Sequence, residues 1–99
     1  MFNDLDPILH SQLRLAVIST LASVEQADFN YLKEITQATS GNLSVQLNKL
    51  KEAGYITIRK KFKGNYPQTL CKITDLGSDR FNEYVKALEG YIKKVNRES

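Results

Sequence analysis

The spacing of apolar positions changes several times along this chain, and each change marks an element. Ile8, Leu9, Leu13, Ala16, Val17, Leu21 and Val24 recur at the spacing of one helix face. Asp6-Pro7 ahead of them offers an N-cap and a proline tolerated at the first helical position, so a first helix is expected from Pro7 to about residues 23–25. Gln26-Ala27 is a short link with room for a stub of strand. Asp28 caps a second helix, Phe29 to about Ala38, with Phe29, Leu32 and Ile35 on its buried face. A third helix starts at Thr39 or Ser40 with Leu43, Leu47 and Leu50 as its buried stripe and Ala53 at its edge. Gly54 suits the left-handed residue that ends a helix.

The second and third helices are so close in sequence that they must cross sharply, as in a helix-turn-helix. After Gly54 the period drops to two. Ile56, Ile58, Lys60 and Phe62 alternate with Thr57, Arg59, Lys61 and Lys63, which predicts a strand whose inner face is apolar except at Lys60. Gly64 to Gln68 has turn chemistry, and a second strand from about Thr69 to Ile73 turns Cys71 and Ile73 inward. Thr74-Asp75 caps a last helix reaching about Val95, along which Phe81, Val85, Leu88, Ile92 and Val95 are spaced as a heptad seam. The expected fold is mainly α with a small β-hairpin, an α+β class in the order α-α-α-β-β-α. One domain spans residues 1–99, with the helix-turn-helix at about 28–54, the hairpin at 55–74 and the last helix at 75–95.

A content of 41% apolar and 25% charged residues is that of a globular protein. No apolar run approaches the ~20 residues needed to span a bilayer, and the acidic N-terminus lacks the pattern of a signal peptide. A single cysteine excludes an internal disulfide and a multi-cysteine metal site, which favours a reducing cytosol and a cytoplasmic protein. The net charge of +3 is unevenly spread. Lys49 to Lys72 holds seven basic residues and one acid, a local charge of +6 on an otherwise slightly acidic body. Such a patch suits a polyanion; the alternative is a solvated lysine-rich hairpin that avoids edge aggregation.

The polar face of the third helix carries chemistry that fits DNA. Asn42, Gln46 and Asn48 are amides of the kind that pair with adenine in the major groove, while Ser40 and Ser44 are able to donate to bases or phosphates. Val45 is an exposed apolar residue able to touch a thymine methyl, and Lys49 flanks this face. Gly41 allows close approach of the helix N-terminus to a phosphate. An ordinary solvated helix face is the competing reading. In the hairpin, Arg59, Lys61 and Lys63 share one strand face with Lys60 close by, an arrangement that follows phosphates and carries little sequence information. Tyr66 has the reach to stack or to meet a phosphate; folding back on the sheet is the competing role, and the one expected of a tyrosine that precedes proline.

The run from Leu43 to Ile56, closing in Leu50-Lys51-Glu52-Ala53-Gly54-Tyr55-Ile56, resembles the recognition helix and strand start of bacterial winged-helix transcription regulators of the ArsR and MarR type. Leu5 to Leu15, with Arg14 as its basic position, resembles the opening of the same group, and Thr69 to Gly77 resembles its exit from the wing. Cys71 stands where an aromatic is usual. The likeness covers nearly the whole chain. It implies a winged helix-turn-helix regulator with a C-terminal dimerisation helix, acting as a homodimer on a pseudo-palindromic double-stranded DNA operator. It assigns DNA contact to Ser40, Asn42, Ser44, Val45, Gln46 and Lys49, to which the residue chemistry adds Asn48, Arg59, Lys60, Lys61 and Lys63.

The expected dimer interface comprises Leu5 and Leu9 from the N-terminal segment and Phe81, Tyr84, Val85, Leu88, Tyr91, Ile92 and Val95 from the last helix. Metal sensing of the ArsR kind needs paired cysteines or histidines, and here His10 and Cys71 stand alone. No metal, cofactor or catalytic residue is expected, and no signature of an enzyme is present. A small-molecule effector at the dimer interface is compatible with the chain but not identified by it. The competing function is a winged-helix protein–protein interaction module without specific DNA readout.

Overall fold

The computed structural model describes residues 2–98. The order is α1 (Gln12–Ala22), β1 (Ala27–Asp28), α2 (Phe29–Thr36), α3 (Ser40–Glu52), β2 (Ile56–Lys63), β3 (Tyr66–Ile73) and α4 (Asp75–Glu98). The three strands form one antiparallel sheet in the order β1-β3-β2. Leu9, Val17, Ile18, Leu21, Leu32, Leu43, Leu50 and Cys71 are fully buried and form the centre of the core. α1 is the central helix and touches α2, α3, β3 and α4.

α1 begins later than the apolar pattern implies. Asp6 does cap a turn, accepting from the Ile8 amide through Oδ1 at 2.9 Å and from the amides of Leu9 and His10 through its carbonyl. That turn ends at once, because Ser11 is extended (φ −151°) and α1 starts at Gln12. Arg14 Nε donates to the Ile8 carbonyl at 2.6 Å, so the acceptor left unpaired by the break is satisfied from within α1. Leu9 stays in the core although it is not helical.

α2 is capped by Asp28, whose Oδ1 accepts from the Tyr31 amide at 2.7 Å, and it stops at Thr36. Gln37 takes the left-handed conformation (φ 60°), and Thr39 caps α3 through the Asn42 amide at 3.2 Å. The early stop leaves Ile35 48% exposed rather than buried; Ala38, in the turn, packs against the core instead.

α3 ends in two hydrogen bonds characteristic of a left-handed C-terminal cap: Tyr55 N–H to the Leu50 carbonyl at 3.0 Å and Gly54 N–H to the Lys51 carbonyl at 2.9 Å, with Gly54 at φ 83°. The same corner anchors α4. Thr74 Oγ1 donates to the Gly54 carbonyl at 2.7 Å, and the Thr74 amide donates to the Tyr55 carbonyl at 3.0 Å. Gly77 packs so tightly here that a Cβ would lie 2.1 Å from the Tyr55 carbonyl oxygen.

The hairpin is longer than the alternation indicates. β3 starts at Tyr66, paired with Lys63 across the Gly64-Asn65 turn, and Pro67 pairs with Phe62. β1 reaches only Leu70 and Cys71, so Pro67 lies on an open edge that tolerates it. Phe62, expected inward, is 73% exposed, and Tyr66, expected to fold back, is 79% exposed. Ile56 is buried and Ile58 half-buried, but from Lys60 onward the strand has left the core and alternation no longer implies burial.

α4 runs about 36 Å at 1.5 Å per residue. Its first half packs inward through Phe81, Tyr84 and Ala87. Farther on, Phe2 stacks on Tyr91 with ring centroids 4.4 Å apart, Tyr91 donates to the Asn3 carbonyl at 3.0 Å, and Lys94 Nζ lies 4.8 Å over the Phe2 ring. Leu88, Ile92 and Val95 remain exposed in a single stripe. Two residues expected at a dimer interface are instead covered within the chain itself. Leu9 and Tyr84 are buried in the chain's own core, where the Tyr84 hydroxyl lies 3.1 Å from His10 Nδ1.

Candidate nucleic-acid interface

The leucine stripe of α3 is fully buried, which turns the opposite face to solvent. Ser40, Asn42, Ser44, Val45, Asn48 and Lys49 are all exposed. Gln46 differs: it is half-buried, its Oε1 accepts from Arg14 Nη1, and its Nε2 donates to Asn42 Oδ1 at 3.1 Å. The helix and the wing share a groove of about 300 Å³. Ser44 and Asn48 line one side, Lys60 and Thr69 the other, over a floor of Phe29, Leu47 and Ile58.

The wing does not present all its cations to that groove. Lys60 lies on the sheet face that looks toward α3, together with Phe62. Arg59, Lys61 and Lys63 lie on the opposite face with Tyr66, since cross-strand partners share a face and successive residues alternate. All four basic side chains are exposed. Among the described residues the ion pair that forms is Arg80–Glu83 at 3.2 Å, on α4, and the wing cations make none; Asp28, which accepts from Gln68 at 3.3 Å, is the carboxylate beside the wing. Lys49 and Lys51 in the last turn of α3 complement its dipole.

Two features escape the sequence pattern. Phe62 is an exposed aromatic among lysines, hidden because alternation marks it as core. Arg14 holds the turn before α1 and the polar side of α3 together. Its signal is a lone arginine within the apolar run of the first helix.

Cys71 is completely buried, and burial with the nearby Asp28 carboxylate pushes its thiol up to about 11, so it is protonated at neutral pH. Tyr55 is pushed up to about 12 by burial and by donating to Asp6 Oδ2. No cluster of metal-ligating side chains occurs among the described residues.

The winged helix DNA-binding domain family matches residues 13–92. The chain belongs to this family. An uncharacterized protein of Methanocaldococcus jannaschii is 36% identical over 88 residues, covering 89% of this chain and 96% of that protein. The structure of a transcriptional regulator homologue from Pyrococcus horikoshii OT3 superposes with a TM-score of 0.84 at 25% identity, covering 89% of this chain and 87% of the other. Bacillus subtilis PadR in complex with operator DNA shares the fold, with a TM-score of 0.67, 18% identity and coverage of 76% and 48%. The winged-helix chain is a DNA-binding transcriptional regulator rather than an enzyme. Among the described residues, no helix of this regulator is long and apolar enough to cross a membrane.

Proposed function

We propose that this winged-helix regulator acts as a single cytoplasmic domain that dimerises and binds a pseudo-palindromic operator. α3 enters the major groove, where Asn42, Ser44, Val45, Asn48 and Lys49 meet base edges. Lys60 follows the adjoining phosphates, and Arg59, Lys61 and Lys63 reach across the wing to the neighbouring backbone and minor groove. The observation that carries this reading is the shared groove, in which Ser44 and Asn48 of α3 face Lys60 of the wing with no carboxylate to oppose it. A duplex fits such a surface because readout and charge neutralisation lie side by side.

The stripe of Leu88, Ile92 and Val95 supports dimerisation, since a wet apolar seam of this spacing is stabilised by pairing. Phe81, Val85, Leu5 and Tyr91 are half-buried and flank it. Sedimentation of wild type against Ile92→Glu tests this part: a dimer that dissociates in the variant supports it, and a wild-type monomer at micromolar concentration contradicts it.

Binding to the promoter of its own operon, measured by fluorescence polarisation across a salt series, tests the DNA reading. The expected result is operator affinity well above that for random duplex, falling steeply with salt. Equal affinity for both duplexes at moderate salt favours the protein-interaction alternative.

A further inference from the structure

Arg14, Gln46 and Asn42 form a hydrogen-bond chain whose polarity is set at one end. A guanidinium has donors and no acceptor. Arg14 Nη1 therefore donates to Gln46 and fixes that carboxamide with Oε1 toward α1 and Nε2 away from it. Nε2 then donates to Asn42 Oδ1 at 3.1 Å. Asn42 thus has one lone pair of its oxygen engaged and turned toward Gln46, while no hydrogen bond from the described residues holds its Nδ2 amide. The Asn42 backbone amide is held by Thr39 Oγ1 at 3.2 Å, so the residue is fixed in the first turn of α3, and its side chain is exposed on the face assigned to DNA.

We infer that Arg14 and Gln46 are positioning residues for base readout: from α1, Arg14 sets Asn42 to face DNA as a hydrogen-bond donor. This rests on the DNA-binding reading above. An unconstrained asparagine recognises adenine by offering donor and acceptor together. Asn42 with its oxygen turned to Gln46 favours acceptor edges instead, foremost the N7 and O6 of guanine, then the O4 of thymine; adenine offers N7 alone, beside an N6 donor that an Asn42 so turned leaves unmatched. Arg14 needs no contact with DNA to impose this choice.

The arrangement can be reversed with one nearly isosteric change. In Gln46→Glu the introduced carboxylate accepts from Arg14 and has no proton to give Asn42. Asn42 then turns to donate Nδ2 to that carboxylate, which puts Oδ1 outward as an acceptor suited to the N4 of cytosine or the N6 of adenine.

Selection of bound duplexes from a random library, run on wild type, Asn42→Ala, Gln46→Glu and Arg14→Met, tests this. Asn42→Ala identifies the base position that residue reads. Guanine or thymine is expected there for wild type, with a shift of roughly tenfold in relative enrichment toward cytosine or adenine for Gln46→Glu. Arg14→Met frees the Gln46 amide to face either way and flattens the preference at that position alone. Gln46→Glu keeps the Arg14 contact and carries the test if Arg14→Met fails to fold. An unchanged motif in Gln46→Glu, or weakening spread evenly over all positions, overturns the relay and leaves the regulator reading standing. A wild type that enriches no motif overturns the regulator reading, and the relay's role with it.

Discussion

α3 and the wing hold the two parts of the candidate interface, and the fold treats them differently. α3 is capped at Thr39, closed by the Gly54 corner, pinned to α4 through Thr74 and tied to α1 through Arg14. Its polar side chains project from a backbone with little freedom. The wing is a two-stranded extension that leaves the core at Lys60, and its cations have no carboxylate partners among the described residues. Reading bases requires placement within a fraction of an ångström, whereas holding phosphate requires reach and charge. The rigid element suits the first task and the free one the second.

The largest effect that separates the two regions is on stability. Leu47→Ala, in the α3 stripe, is expected to cost about 2–5 kcal/mol, whereas Phe62→Ala, in the wing, changes stability by less than about 0.5 kcal/mol. Chemical denaturation checks both. Similar losses at the two positions would mean that the wing is packed as tightly as the helix.

Next in size is the charge reversal Lys61→Glu with Lys63→Glu. Affinity is expected to fall in parallel for operator and random duplex, and the slope of log affinity against log salt to become shallower by about two or more. A loss confined to the operator would give the wing a share in base readout.

The smallest effect concerns two buried protons, one on Tyr55 at the corner that anchors α3 and one on Cys71 in β3. Tyr55 and Cys71 have pKa values raised in the folded protein, from 10.0 to about 12 and from 9.0 to about 11. The folded state therefore holds these protons more tightly than the unfolded one. Their contribution is fully present below about pH 9 and is lost as pH rises through 9 to 12. Tyr55→Phe removes the tyrosine part of this alkaline loss and also the hydrogen bond to Asp6. Thermal melts of the two proteins from pH 8 to 11 check the sign; a wild type that gains stability relative to the variant with rising pH would contradict it.

Much of this division is legible in the residues. The leucine stripe of α3, its caps and its glycine stop are local signals, and each appears in the structure where the pattern puts it. Ile35 and Phe62 mislead because periodicity states which residues share a face, not whether the core extends far enough to cover that face; Tyr66, read from its place before Pro67, stays exposed because the wing tip lies beyond the core. The heptad seam on α4 has a related ambiguity. Tyr84 packs inward while Leu88, Ile92 and Val95 stay wet, a split set by where the helix outruns the core. The Arg14–Gln46 contact joins residues 32 positions apart, and only tertiary packing brings them together. Gln46 reads in the sequence as one more base-contacting amide; in the fold it is half-buried and bonded to Arg14 and Asn42, which supports the positioning role proposed for it.

In this division of labour α3 supplies discrimination and the wing supplies affinity. The division is tested most directly by the salt dependence of binding for Asn48→Ala and Lys61→Gln, each on operator and on random duplex. Asn48→Ala is expected to keep the wild-type salt slope and lose about 1–3 kcal/mol of preference for the operator, while Lys61→Gln keeps the preference and makes the slope about one unit shallower. The reverse outcome, with preference lost at Lys61 and slope lost at Asn48, would contradict the account.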